Sequence, residues 1–150
     1  MIFKMDQKIK VVALDIYGTV LATDDYENVA KPRGGLKDFF DLCDSKNVKI
    51  ASTSDAHIDS VMGHLESCFF RHNEERMKIE CFDKFFRLNQ LPKDYSFVYG
   101  HYDILPEELL VIDDKLENIN SASKHGCRII HVPEYILGTR AKFDFSKIRF

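Results

Sequence analysis

The sequence has no long apolar run: no stretch approaches the roughly 18 to 20 consecutive apolar residues of a membrane span, so no membrane partner is expected. It has no excess of positive charge either. Lys and Arg number 21 against 24 Asp and Glu, a net charge of −3, which disfavours a broad nucleic-acid-binding face. The four cysteines, Cys43, Cys68, Cys81 and Cys127, lack CxxC spacing. They read as reduced, mostly buried thiols of a cytoplasmic protein rather than as a zinc site. The six histidines (His57, His64, His72, His101, His125, His131) show no metal-type spacing. No repeat, linker or low-complexity tract is visible. Met1 to Lys10 run almost directly into the first strand, so no signal peptide is expected.

What is present is ordinary for one globular domain with a real core: 150 residues, 45% apolar and 30% charged. A single domain over 1–150 is expected. Strands alternate with helices. Lys10–Leu14 reads as a first strand, followed by a polar loop, Ala22–Gly35, that carries Asp24, Asp25 and Glu27 on a solvated face. The spacing of Leu36, Phe39, Phe40, Leu42 and Cys43 predicts a helix over Leu36–Ser45. Val48–Thr53 reads as the second strand. Ser54 or Asp55 is placed to cap the next helix, with Ile58, Val61, Met62 and Leu65 as its apolar face. Cys81–Phe86 is a weaker third strand, and the aromatic-rich stretch Phe69–Phe97 is expected in the core. Tyr95–Tyr102 reads as helical. Pro106 starts a turn before a fourth strand, Leu109–Ile112. Leu116, Ile119, Ala122 and Ser123 then mark a helix closed by Gly126, before a fifth strand, Cys127–Val132. This β-α-β-α order predicts a three-layer α/β/α fold around a mostly parallel five-stranded sheet.

The most informative residue is Asp15. It ends the apolar run Val11-Val12-Ala13-Leu14, which reads as a buried parallel strand, and it precedes Ile16-Tyr17-Gly18-Thr19. In open α/β sheets, ligands bind outside the carboxyl ends of the strands. The same edge should receive Ser54 and Asp55 from strand two, and Asp113 and Asp114 from strand four. Lys93, between strands three and four, can reach it. A carboxylate nucleophile can take a phosphoryl group and pass it to water. Carboxylates from two strands can hold Mg²⁺ and leave positions for water and a phosphate oxygen. A hydroxyl and an ammonium can bind the other phosphate oxygens and neutralise developing charge.

Asp15-Ile-Tyr-Gly-Thr-Val, then Ser54 after an apolar strand, then Lys93, then Val-Ile-Asp113-Asp114-Lys-Leu-Glu-Asn118-Ile, together resemble the four motifs of the haloacid dehalogenase (HAD)-like superfamily, over about Lys10 to Val132. The resemblance implies the superfamily's Rossmann-like fold. It implies Asp15 as nucleophile, with Ser54 and Lys93 beside it in the catalytic set. It implies Thr19 as a brace of the loop, with Tyr17, Gly18 and Asp55 lining the substrate site. Magnesium would be held by Asp15, Asp114, Asp113 directly or through water, and the main-chain carbonyl of Tyr17.

Two departures qualify that likeness. The superfamily's phosphatases carry an acid two residues after the nucleophile, and here stands Tyr17. A tyrosine near its usual pKa of about 10 is a poor base at neutral pH. Asp-x-Tyr-Gly-Thr is similar to the first motif of true haloacid dehalogenases, which need no metal. The acid pair Asp113-Asp114 favours the magnesium-dependent phosphatase or phosphotransferase. A dehalogenase-type hydrolase, and a catalytically weak binding or regulatory protein, stand as alternatives. His57, Asp55, Asp24 or the substrate could replace the missing acid. A receiver-type domain is disfavoured, because its acid pair precedes its phospho-accepting Asp. The second departure is size: about a dozen residues separate Thr19 from Pro32, and Ser54 to Lys93 is short, so no sizeable cap is expected. An uncapped site is open, which suits a phosphorylated substrate that is large or macromolecular, or a partner that covers it.

Overall fold

The computed structural model describes residues 8–24, 32–68, 79–137 and 143–150. Asp25, Glu27, Phe69, Phe70 and His72 lie outside them. Five strands form one sheet in the order β3-β2-β1-β4-β5, every pair parallel. They are β1 (Val11–Leu14), β2 (Lys49–Ser52), β3 (Lys84–Phe85), β4 (Leu109–Asp113) and β5 (Arg128–His131). The helices are α1 (Leu36–Ser45), α2 (Ile58–Glu66), α3 (Ser96–His101) and α4 (Leu116–Lys124). The architecture is α/β and Rossmann-like, with no closed barrel.

The centre of the sheet explains the continuous apolar runs. β1 lies between β2 and β4 and is buried along its whole length. Successive strand residues point to opposite faces, so both faces need cover. Val12 and Leu14 face a core with Leu36, Phe39, Phe40, Val61 and Leu65 of α1 and α2. Val11 and Ala13 face a second core with Val98, Ile119 and Ala122 of α3 and α4. A fully buried side chain such as Phe39 contributes about 1.5–3 kcal/mol relative to exposure. The chain runs outward from β1 through β2 to β3, then crosses back to β4 and β5. The direction reverses between β1 and β4, and a crevice at the carboxyl ends opens at such a point.

Several boundaries differ from the sequence reading. The third strand shrinks to Lys84–Phe85, because Ile79–Cys81 forms a 3₁₀ turn that folds Phe82 into the core against Phe40. Among the described residues it is an edge strand paired with β2 alone, so little pairing energy extends it. Neither Ser54 nor Asp55 caps α2. His57 stands at that position without a side-chain cap bond, and Ser54 Oγ accepts the N–H of Ala56 instead. Ile58 is exposed and Met62 half-buried, so α2 buries Val61 and Leu65. Leu116 is likewise exposed, and Asn118 joins Ile119 and Ala122 on the buried face of α4. Gly126, just past α4, has φ +94°, the left-handed conformation that glycine tolerates at a helix end.

Two further features bear on the site. Leu21 bridges Pro32 antiparallel. The segment after β5 braces the first loop: Tyr135 N–H donates to Gly18 O at 2.7 Å, and Thr23 N–H to Tyr135 O at 3.0 Å. None of the four cysteines forms a disulfide; Cys43, Cys68 and Cys127 are buried and Cys81 is exposed. No helix among the described residues is long and apolar enough to cross a membrane.

Candidate active site

The backbone delivers the acids to the sheet's reversal point. Asp15 N–H donates to Ile112 O at 3.0 Å, extending the β1–β4 ladder one step past β1. Its carboxylate therefore emerges beside the end of β4, where Asp113 and Asp114 stand. After Asp15 the chain turns tightly: Ile16 O accepts the N–H groups of Thr19, Val20 and Leu21 at 2.8 to 3.2 Å. Gly18 makes this turn possible with φ +87°, and a Cβ there would sit 2.5 Å from Asp114 Oδ2. Glycine serves both needs, the left-handed backbone and the close approach of a carboxylate.

Lys93 is the hub. Its Nζ donates to Asp15 Oδ1 at 2.8 Å and to Asp113 Oδ2 at 2.9 Å, with all three side chains buried. Thr19 Oγ1 lies 2.8 Å from Asp15 Oδ2 and 3.3 Å from Asp114 Oδ1, its one hydrogen shared between them. Asp113 accepts from four donors: besides Lys93, Tyr95 OH and Asn118 Nδ2 donate to Oδ2, at 3.1 and 3.2 Å, and Lys115 N–H donates to Oδ1 at 2.9 Å. Asn118 also accepts the Lys93 N–H through Oδ1. Asp114 is only half-buried; its main-chain carbonyl lies 3.0 Å from His131 Nε2.

The electrostatics follow from packing several charges into one buried space. Burial raises the Asp15 carboxyl, with Lys93 opposing and Asp113 adding to the rise. Burial pulls Lys93 down, but the charges of Asp15 and Asp113 outweigh it and leave the ammonium above its ordinary value. Asp114 is pushed up to about 8, by burial first and then by its hydrogen bond and charge repulsion with Asp15. Like charges held this close cannot all ionise freely without a counter-charge.

A divalent cation would supply that charge. Asp15, Asp113 and Asp114 each offer a carboxylate oxygen, and these oxygens lie within 4.8 Å of one another. An all-oxygen, carboxylate-rich donor set suits Mg²⁺. The glycine cradle beneath Asp114 lets that carboxylate sit against the turn. The residues present fit the ion.

The other residues singled out by sequence fall differently. Ser54 is buried at the end of β2, its hydroxyl bonded to Ala56 N–H. Asp55 is exposed, its main-chain carbonyl held by Arg87 Nε at 3.1 Å. The Tyr17 side chain bonds to Nδ1 of His64 on α2, and burial raises its hydroxyl pKa. Sequence reasoning gave no role to Asn118, Tyr95 or Arg33. Arg33 is buried under the first loop, its Nη1 3.4 Å from Thr19 O and its guanidinium over the rings of Tyr135 and Phe143. Only a polar residue inside an apolar helix face, as at Asn118, could have signalled such a role.

Comparison of the fold with solved structures gives consistent relatives. CbbY from Rhodobacter sphaeroides, in complex with xylulose-1,5-bisphosphate, matches with a TM-score of 0.70 at 14% identity, over 93% of this chain and 96% of that one. A haloacid dehalogenase-like family hydrolase from Xanthomonas campestris matches with a TM-score of 0.70 at 11% identity, over 93% and 92%. The N-terminal part of a Bacteroides fragilis protein, containing a phosphatase domain complexed with Mg, matches with a TM-score of 0.61 at 18% identity, over 85% of this chain and 37% of that one. Neither a protein-family model nor a curated protein sequence matches the chain. The fold is that of the HAD-like hydrolases.

Proposed function

We propose that this chain is a HAD-like hydrolase of one uncapped domain, a magnesium-dependent phosphatase or phosphotransferase that works through an aspartyl-phosphate on Asp15. The observation that carries the reading is the buried bridge from Lys93 Nζ to both Asp15 and Asp113. It holds Asp15, the carboxylate read here as the nucleophile, at the carboxyl-end edge of the sheet, with the half-buried Asp114 nearby. Relatives of the same fold are described with a sugar bisphosphate and with Mg, which supports a phosphorylated substrate.

Each side chain has a task. Asp15 attacks phosphorus, and water later attacks the same phosphorus to release phosphate. Lys93 holds the Asp15 carboxylate in place and offsets charge on the phosphoryl oxygens. Ser54 would turn its hydroxyl toward one of those oxygens. Thr19 braces Asp15 and Asp114. Gly18 and Asp55 line the opening, and Tyr17 contributes its main-chain carbonyl. Asp15, Asp113 and Asp114 with that carbonyl would hold Mg²⁺, which when bound neutralises phosphoryl charge and orients the group for in-line attack. The openness of an uncapped site suits a large phosphorylated substrate or a covering partner, and the thiol pattern suits the cytoplasm.

The test is phosphate release from an aryl phosphate, with and without Mg²⁺, by the wild type and Asp15→Asn. Release that needs Mg²⁺ and falls to background in a folded Asp15→Asn supports the reading. Activity that survives the substitution would sink it, and halide release from a haloacid that persists in EDTA would assign the dehalogenase chemistry instead.

A further inference from the structure

Tyr17 stands two residues after Asp15, and its side chain leaves the site. The ring packs against the core shared with α1 and α2. The hydroxyl is hydrogen-bonded to Nδ1 of His64, with the two rings edge to face and their centroids 5.5 Å apart. His64 belongs to the last turn of α2. That helix starts at the catalytic edge and returns toward the opposite edge, as a crossover between parallel strands must. At 1.5 Å per residue, His64 lies roughly 9 Å along the axis from Ile58. The phenol is therefore engaged on α2, by His64, and not by the carboxylates. Among the described residues, no hydrogen bond joins the Tyr17 hydroxyl to Asp15, Lys93, Ser54, Asp113 or Asp114. The tyrosine that touches the cluster is Tyr95, through Asp113.

No other acid is in place among the described residues. Asp15, Asp113 and Asp114 are taken up by the nucleophile and metal set. Asp24 accepts the Leu137 N–H at 2.8 Å. Asp55 and His57 are exposed at the approach to α2, with no hydrogen bond to the cluster.

This matters because of what leaves. When Asp15 attacks phosphorus, the bond from phosphorus to the leaving oxygen breaks, and that oxygen departs with the electron pair. An alkoxide needs a proton as it leaves. A phenolate, a carboxylate or a phosphate does not. We infer that the site is selective for phosphates whose leaving groups need no protonation (aryl phosphates, acyl phosphates and phosphoanhydrides) over alkyl phosphate esters. The second step carries no such demand: water attacks the aspartyl-phosphate, Asp15 leaves as a carboxylate, and both water protons end on the released phosphate. The inference rests on the aspartyl-phosphate reading and narrows its substrate.

The experiment is kcat/KM for a series of aryl and alkyl phosphates of graded leaving-group acidity, at saturating Mg²⁺, on the full chain and on Tyr17→Asp. A positioned general acid is worth about 10²–10⁴-fold. The native chain should therefore turn over alkyl phosphates at least about 10²-fold more slowly than aryl phosphates, with a steep decline along the series. Tyr17→Asp should narrow that ratio by about 10²-fold or more. A flat series in the native chain, or an unchanged ratio in a folded Tyr17→Asp, would overturn the inference. Should the variant not fold, the native series alone decides. Failure of the parent reading is distinct: no member of the series would then be turned over in a Mg²⁺-dependent way, and this inference would fall with it.

Discussion

Asn118 holds Lys93 by its main chain: the Lys93 N–H donates to Asn118 Oδ1 at 2.9 Å, inside the protein. The other end of the same amide donates to Asp113 Oδ2 at 3.2 Å. One buried side chain on α4 thus sets the height of the lysine-bearing loop and the orientation of an acid on β4. Neither contact is to Asp15, so the amide acts on the cluster through its neighbours.

Replacing Asn118 with Ala would leave the Lys93 N–H without a partner and remove one donor from Asp113. A buried polar group left unsatisfied costs about 1–3 kcal/mol. For a chain of 150 residues each kcal/mol moves Tm by about 2–4 °C. Asn118→Ala should therefore lower Tm by about 2–12 °C in thermal denaturation. Asn118→Asp keeps the acceptor but sets a carboxylate against Asp113, and should be no better. A Tm unchanged in both variants would remove the bridging role.

Lys93 carries a larger consequence. Its ammonium is the buried cation between Asp15 and Asp113, with both distances under 3 Å. Removing one partner of a buried ion pair costs about 3–5 kcal/mol, because the carboxylates left behind have no counter-charge. Lys93→Met should lose that stability in EDTA and recover a substantial part in millimolar Mg²⁺, since the ion can replace the missing charge. The wild type should gain less from Mg²⁺ than the variant. Melting curves with and without the ion read the difference, and equal gains would contradict it.

A substitution at Gly18 would separate metal binding from folding. Any side chain at φ +87° is strained, and a Cβ would meet Asp114 Oδ2 at 2.5 Å. The left-handed backbone alone costs about 1–2 kcal/mol. Gly18→Ala should show that modest loss in stability, with a larger loss in Mg²⁺ affinity measured by calorimetry, because Asp114 must move aside. Unchanged affinity would show that Asp114 is not held against this turn for the ion.

Much of the sheet is legible in the sequence because the local signals are strong there. Val11 to Leu14 has no polar residue to confuse it, and α1 has apolar residues at helical spacing with Gly35 before it. The positions of Asp15, Asp113 and Asp114 follow from the strands that end at them. Lys93 has the loosest spacing, yet it lies at the centre of the hydrogen-bond network, because a loop residue is placed by what it docks on, here Asn118. The direction of Tyr17 is not a local property either. It depends on His64, 47 residues further along the chain. The bracing of Gly18 by Tyr135 joins residues more than a hundred positions apart, through main-chain atoms that carry no sequence signature.

The raised pKa of Asp114 gives a signed pH dependence. Its folded value of about 8 stands above the ordinary value of 3.8, chiefly through burial and then through Asp15. Between those values the metal-free folded protein holds a proton that the unfolded chain has released. Stability from this group is therefore complete below 3.8 and is lost as pH rises through about 8. Mg²⁺ needs the carboxylate ionised, so binding must expel the proton. The apparent Mg²⁺ affinity should rise with pH up to about 8 and level off above it. Below the plateau the slope should approach about one decade per pH unit, for one proton released. Calorimetry in buffers of different ionisation enthalpy would count that proton directly. The metal-free melting temperature should fall over the same range while the Mg²⁺-loaded one stays flatter. An affinity independent of pH between 6 and 8 would show that Asp114 is already ionised without the metal, and that Lys93 alone suffices to neutralise the cluster.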